Sequence, residues 1–366
     1  MILNTAKLKT MLNTLGKCKP NNLLEITNYY NMCFREGGLI LTAYDGSNYI
    51  QVKDFNATLD MHNNTEENII IRSDQFGKLV SKVRNDTVDL QVKEGYLQVK
   101  ADGLYKCEIY EGEEYPLFTK LDNKDLIEVD LGQLKHGFKA GKDTKSNIAS
   151  DGPLFNFLIR DEKLIGTNGV KLSCTSIPNF TGDVLITPTL AQLIQAMEGS
   201  DVTVIIGNEH IQFETDNTIV YGPLGEGVAQ FPNVNPLLDY EFIYHCKLNV
   251  SRLLDAVDRL KLFLGKYEGH VIDMDFIQDA LILSTNTASE VIDYHSTDYG
   301  DSAWDDVRRN VNVYYLAEIL KAMKGELCTI GYNSDGGFGY NSDGGFIQLT
   351  CGTDTFILAL ISERRN

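Results

Sequence analysis

Hydrophobic and polar positions along the chain follow two periods in turn. Six stretches space their apolar residues for one face of a helix: 4–17 (NTAKLKTMLNTLGK), 72–84, 130–142 (DLGQLKHGFKAGK), 187–198, 249–266 (NVSRLLDAVDRLKLFLGK) and 314–325. Asn4, Asp130 and Asn249 stand where helix N-caps belong. Between these stretches lie short apolar runs parted by polar turns. Three of them share one shape, strand, turn, strand and polar stretch: NMCFREGGLILTAYDGSNYIQV from Asn31, FNFLIRDEKLIGTNGVKLSCTS from Phe155 and IDMDFIQDALILSTNTASEVIDY from Ile272. Their Leu-Ile pairs begin at Leu39, Leu164 and Leu281, separations of 125 and 117 residues.

After each such segment a short apolar strand runs into a second helix, as in VLITPTLAQLIQAME and VNVYYLAEILKAMKG, and three more short strands follow. The pattern predicts an α+β fold of three tandem repeats, each in the order helix, strands, helix, strands, over 1–120, 121–240 and 241–366. Residues 331–346 write Gly-Tyr-Asn-Ser-Asp-Gly-Gly-Phe twice. The equivalent turns of the other repeats, Lys93-Glu94-Gly95-Tyr96 and Gly207-Asn208-Glu209-His210, are short, so the second copy reads as an insertion into a hairpin. Eight is even, so the insertion leaves the alternation of the flanking strands unchanged. A calcium-loop reading fails on Asn341, which stands where the repeat of that type needs aspartate.

Composition narrows the function classes. The chain has 366 residues, 43% of them hydrophobic, and a net charge of −18, which by itself speaks against nucleic acid. The seven cysteines have no C-x-x-C or zinc spacing and are expected to be reduced thiols, with no metal site and no cofactor. The beginning, MILNTAKLKTML, lacks the apolar run of a signal peptide, and no stretch is apolar enough to span a membrane, so a cytoplasmic protein is expected. GFKAGKD (137–143) is one residue short of a phosphate loop and ends in Asp, and the six histidines show no ligand spacing. Nothing assembles an acid/base pair, and no enzymatic activity is expected.

The distribution of charge reverses the first inference. The six helical stretches hold 16 of the 33 Lys and Arg but only 6 of the 51 Asp and Glu, a net +10, while the other 284 residues carry −28. If the helices share one side, that side holds a polyanion and the strand side repels it.

In this setting GTNGVKLS (166–173), QFPNVNPLL (230–238), EEYPLF (113–118) and TFILALI (355–361) carry a resemblance. With the threefold pattern, the chain resembles the bacterial and phage DNA polymerase III β subunit, the DNA sliding clamp. The resemblance implies three clamp domains per chain and a head-to-tail homodimer, with helices lining a ring and antiparallel sheets outside. It further implies a processivity factor that encircles double-stranded DNA without reading sequence and tethers the replicative DNA polymerase. Lys19, Lys142, Lys145 and Lys266 are the expected loop contacts to DNA, with Lys78, Lys82, Arg252 and Lys261 on helices. A pocket for the short linear motif of polymerase, clamp loader and other partners is expected from Thr167, Gly169, Val170, Lys171, Leu172, Pro232, Leu237, Ile357, Ala359, Leu360 and Ile361. Val170-Lys171 replaces the family's His-Arg, and ALISERRN its Met-Pro-Met-like end. The rival reading is an acidic scaffold or DNA mimic, which explains −18 but not the basic helices.

Overall fold

The computed structural model describes residues 1–35, 38–54, 67–122, 126–264, 270–300, 302–333 and 345–361. Lys266, residues 334–344 of the doubled octapeptide and the last five residues lie outside the described residues. The chain divides into two compact units, Met1–Gly132 with Thr187–Leu224, and Gln133–Ile186 with Gly225–Asn366.

The helices are α1 (Thr5–Leu15), α2 (Ser73–Lys82), α3 (Leu131–Gly141), α4 (Pro188–Gln195), α5 (Asn235–Leu238), α6 (Val250–Leu260) and α7 (Val313–Ala322). Several start where a strand hands over to a capping side chain. Asn4 accepts from the Lys7 N–H, Asn249 from that of Arg252, and Asn312 from those of Tyr314 and Tyr315, while Thr187 caps α4 with Pro188 in its first turn. The apolar stripe faces inward as its spacing requires. Leu8, Met11, Leu12 and Leu15 of α1 are buried, as are Leu253, Ala256, Val257 and Leu260 of α6. The 249–266 stretch is helical only to Leu260, with a 3-10 turn at Lys261–Phe263.

The first unit holds an eight-stranded antiparallel sheet in the order Glu67–Arg72, Tyr29–Arg35, Gly38–Tyr44, Tyr49–Asp54, Thr218–Pro223, His210–Glu214, Asp201–Ile206, Ile127–Asp130. Beside it is a four-stranded sheet, Ile2–Asn4, Thr87–Lys93, Tyr96–Lys100, Leu104–Glu108. The second unit has a nine-stranded sheet: Val184–Ile186, Phe157–Arg160, Lys163–Thr167, Lys171–Ser176, Asp354–Ala359, Phe346–Cys351, Leu327–Tyr332, Tyr244–Asn249, Ser296–Asp298. Its four-stranded sheet runs Ser289–Asp293, Ala280–Ser284, Val271–Phe276, Val307–Asn312.

One rule organises these lists. Strands come in consecutive antiparallel triplets, and two seams join the third strand of one triplet to the third strand of another. Tyr49–Asp54 pairs with Thr218–Pro223 in the first unit (Val52 opposite Thr218), and Lys171–Ser176 pairs with Asp354–Ala359 in the second (Leu172 opposite Ile357). The third strands of the two remaining triplets, Leu104–Glu108 and Ser289–Asp293, are sheet edges. A short strand also precedes the first helix of each repeat (Ile2–Asn4, Ile127–Asp130, Tyr244–Asn249), which the helix-first order did not anticipate.

The second seam is fastened from within. Asp354, buried, accepts from the Thr175 hydroxyl at 2.8 Å and lies 2.5 Å from Nε2 of buried His136 on α3. Helix α3 approaches strand Lys163–Thr167 closely enough that a Cβ on Gly166 would fall 2.8 Å from the Gly141 carbonyl oxygen.

Candidate functional site

The expected peptide pocket is built on the second seam. Asn168 accepts from the N–H groups of Val170 and Lys171, both at 3.0 Å, and Gly169 takes φ 86° to let the chain reverse. The Thr167 hydroxyl donates to the Lys171 carbonyl (2.9 Å), which locks the turn and leaves Val170 exposed at its tip. Ala359 N–H donates to the Val170 carbonyl at 2.9 Å, continuing the seam past the paired strands. Leu172 and Ile357, opposite one another and both buried, share an apolar cluster with half-buried Leu237 of α5. Ala359, Leu360 and Ile361 are half-buried alongside, the last two held by N–H donations to the carbonyls of Gly345 and Asn310, both 2.8 Å. Pro232 is exposed.

Sequence reasoning missed the aromatic wall of this cluster. Tyr240, Phe242 and Phe346 meet edge-to-face with centroids 5.0–5.5 Å apart. The alternation Tyr240-Glu241-Phe242, one residue beyond QFPNVNPLL, was the available signal. Also missed were Tyr315 and Glu318 of α7. Lys171 is buried, its ammonium pairs with the Glu318 carboxylate, and the same nitrogen sits 4.6 Å from the centre of the Tyr315 ring.

The expected DNA contacts divide by exposure. In the first unit Lys19, which follows α1, and Lys78 and Lys82 of α2 are exposed. In the second unit Lys142 and Arg252 are exposed, whereas Lys261 is mostly covered, donating to Asp258 at 2.7 Å and lying 5.5 Å from the Tyr314 ring. The hydrogen bond from Lys261 holds the Asp258 carboxyl below its ordinary range, with Lys321 assisting. Lys145 departs from expectation. It is buried, donates to the Ser146 carbonyl at 2.8 Å and sits 4.6 and 5.7 Å from the rings of Phe155 and Phe157, so its ammonium does not reach solvent from the loop. Lys266 lies outside the described residues.

Burial pushes the Cys174 and Cys246 thiols up to about 11 and that of Cys328 to about 12, so none supplies a thiolate near neutrality. Among the described residues no three His, Cys, Asp or Glu side chains are placed to hold a metal ion, and no helix is long and apolar enough to cross a membrane. The two unpaired third strands expose apolar side chains, Leu104 at 62% and Val291 at 63%; separately, Leu262 and Phe263, after α6, are 80% and 52% accessible.

No protein-family model and no curated protein sequence matches the chain. Solved structures do, over its whole length. The β subunit of the DNA polymerase of Streptococcus pyogenes superposes with a TM-score of 0.84 at 17% identity, covering 99% of both chains. The DNA polymerase sliding clamp of Bacillus subtilis gives 0.82 at 14%, again over 99% of both. A sliding clamp from Pseudomonas aeruginosa bound to griselimycin gives 0.82 at 14%, with the same coverage. The fold is therefore that of the DNA polymerase III β subunit, as the sequence resemblance implied.

Proposed function

We propose that this chain is a DNA sliding clamp: three clamp domains, paired head-to-tail with a second copy to close a ring around duplex DNA, and a groove at the second seam that tethers a replicative polymerase and its loader. The observation that carries this reading is the pair of unfilled third strands. Both seams follow one rule, and the rule has one application left, Leu104–Glu108 of one copy against Ser289–Asp293 of the next. A chain that completes only half of that pairing at each end closes with a second copy. The side chains suit the join, since Leu104, Tyr105 and Val291 are apolar and exposed at these edges and Lys106 would meet a strand carrying exposed Asp293.

Exposed basic residues on α2 and α6 supply diffuse attraction to phosphate, which holds DNA without reading it and lets the protein slide. The chain's own part is topological and needs no catalytic group, and it acts in the cytoplasm. The apolar groove of Leu172, Leu237 and Ile357 with its aromatic wall accepts the anchors of a short peptide.

The test is assembly. Wild-type protein sediments as a dimer, shows a central hole by negative-stain electron microscopy and is retained on circular but not linear DNA once loaded; Val291→Arg, which puts a guanidinium in the join, sediments as a folded monomer. A monomeric wild type, or a Val291→Arg protein that stays dimeric, defeats the proposed join. The net charge of −18 favours a second reading, an acidic DNA mimic, which predicts no association with DNA at any salt concentration.

A further inference from the structure

The aromatic wall of the groove is seated on strand Leu327–Tyr332 and the residue that follows it. A Cβ on Gly331 would fall 3.0 Å from the Phe242 ring, so that ring lies directly on the strand backbone. Two residues on, and so on the same face, comes Asn333. Its side chain is buried and spans the connection that carries the wall: Oδ1 accepts from the Ile243 N–H at 2.6 Å and Nδ2 donates to the Tyr240 hydroxyl at 3.2 Å. A backbone N–H can only donate, which fixes the amide this way round and turns Nδ2 toward Tyr240. The Asn333 backbone is itself held, its carbonyl accepting from Arg309 at 2.6 Å. Gln348, opposite Gly331, adds a donation to the Leu238 carbonyl at 3.3 Å. The contacts of half-buried Tyr240 with Phe242 and Phe346 set no single orientation, because edge-to-face packing tolerates a range of angles, whereas a hydroxyl bonded to a fixed amide does not.

We infer that Asn333 is a positioning residue of the peptide groove: it holds the 240–243 connection against the third repeat, so that Tyr240 stands as a preformed wall on the cluster of Leu172, Leu237 and Ile357. It acts on the partner peptide through Tyr240. A wall ordered before the peptide arrives is not ordered at the expense of binding, so the effect falls on affinity. This rests on the groove reading above, and the experiment separates the two.

A labelled peptide with Leu and Phe anchors and uncharged residues elsewhere is titrated with each protein by fluorescence polarisation, well below the melting temperature of every variant. Tyr240→Phe, which keeps the ring and loses the hydroxyl, weakens binding about two- to tenfold, the ratio one hydrogen bond supports. Asn333→Leu weakens it at least as much. The double variant Asn333→Leu, Tyr240→Phe binds no more weakly than Asn333→Leu alone, because the bond that joins the two is already gone. Asn333→Leu also strips the Ile243 N–H of its acceptor and lowers the melting temperature, so Tyr240→Phe carries the test should Asn333→Leu fail to fold. Unchanged affinity in Tyr240→Phe, or losses that multiply in the double variant, overturns the inference. So does an Asn333→Leu protein that melts lower yet binds as the wild type does, since Asn333 would then serve the fold and not the groove. If the peptide binds no form of the protein, wild type included, the groove reading itself falls and this inference with it.

Discussion

Lys145 is expected from the sequence in a DNA-contacting loop and Lys171 in a peptide pocket, and both have their ammonium groups inside the protein. What decides this is not local. Lys145 is roofed by Phe155, at the end of a 3-10 turn, and by Phe157, at the start of the next strand, and Lys171 by Tyr315 from a helix far along the chain. No periodicity carries that information, which is why Lys145 reads as a DNA contact in the sequence and not in the structure. Burial holds the Lys145 ammonium below its ordinary range. For a base with a lowered folded-state pKa the destabilisation is full below that pKa and is relieved as pH rises toward the unfolded value. Lys145→Met, which fills the same space without charge, should therefore melt at or above the wild-type temperature near pH ~7, with any advantage narrowing toward pH ~10. Thermal melts of both proteins across that range check it, and an advantage that widens with pH refutes the account.

At the scale of elements the sequence was informative wherever a local rule set the outcome. The caps Asn4 and Asn249 are where residue type placed them, the six helices form, and the Glu94-Gly95 turn closes a two-residue hairpin with Gly95 at φ 77°. It was silent where pairing is made at a distance. Ile2–Asn4 is three residues long and is a strand only because Thr87–Asp89 lies beside it, and neither seam has a signature in the strands that form it. The doubled octapeptide is decided by similar reasoning. Both of its copies end in Gly-Gly-Phe, so removing 339–346 places Phe338 directly before Ile347, in the sequence position that Phe346 holds against Tyr240 and Phe242. Closing a shorter loop costs less chain entropy, about 0.6 kcal/mol for each halving of length. The deletion should leave the fold intact and raise the unfolding free energy by roughly that amount in a denaturant titration. A clear loss of stability would mean that the second copy packs against the protein rather than merely lengthening a turn. The deletion also gives a second readout, since affinity for a groove peptide that stays unchanged would remove the octapeptide from any role in access to the groove.

For the whole molecule the governing quantity is how charge is partitioned, not its sum. A net −18 repels DNA from acidic strands that face solvent, and on the proposed clamp reading the basic helical stretches offset that where they meet it. Part of that positive charge is already spent internally, because Arg259 makes two hydrogen bonds to Glu290, at 2.6 and 3.0 Å, and Lys261 is tied to Asp258. On the proposed clamp reading, the attraction left to DNA comes from exposed residues such as Lys19, Lys82, Lys142 and Arg252, and a weak attraction suits a protein that must slide. Each lysine or arginine that meets a phosphate releases a counterion, so the slope of log affinity against log salt counts them. Titrating a labelled duplex with protein across a salt series, Lys82→Ala and Arg252→Ala should each flatten that slope by about one unit, for every DNA sequence alike. Lys145→Met should leave it where it was, since a buried ammonium releases no counterion. If Lys145→Met flattens the slope and the two helix variants do not, the basic helices are not the DNA-facing surface, and the ring reading loses its account of how so acidic a chain holds DNA.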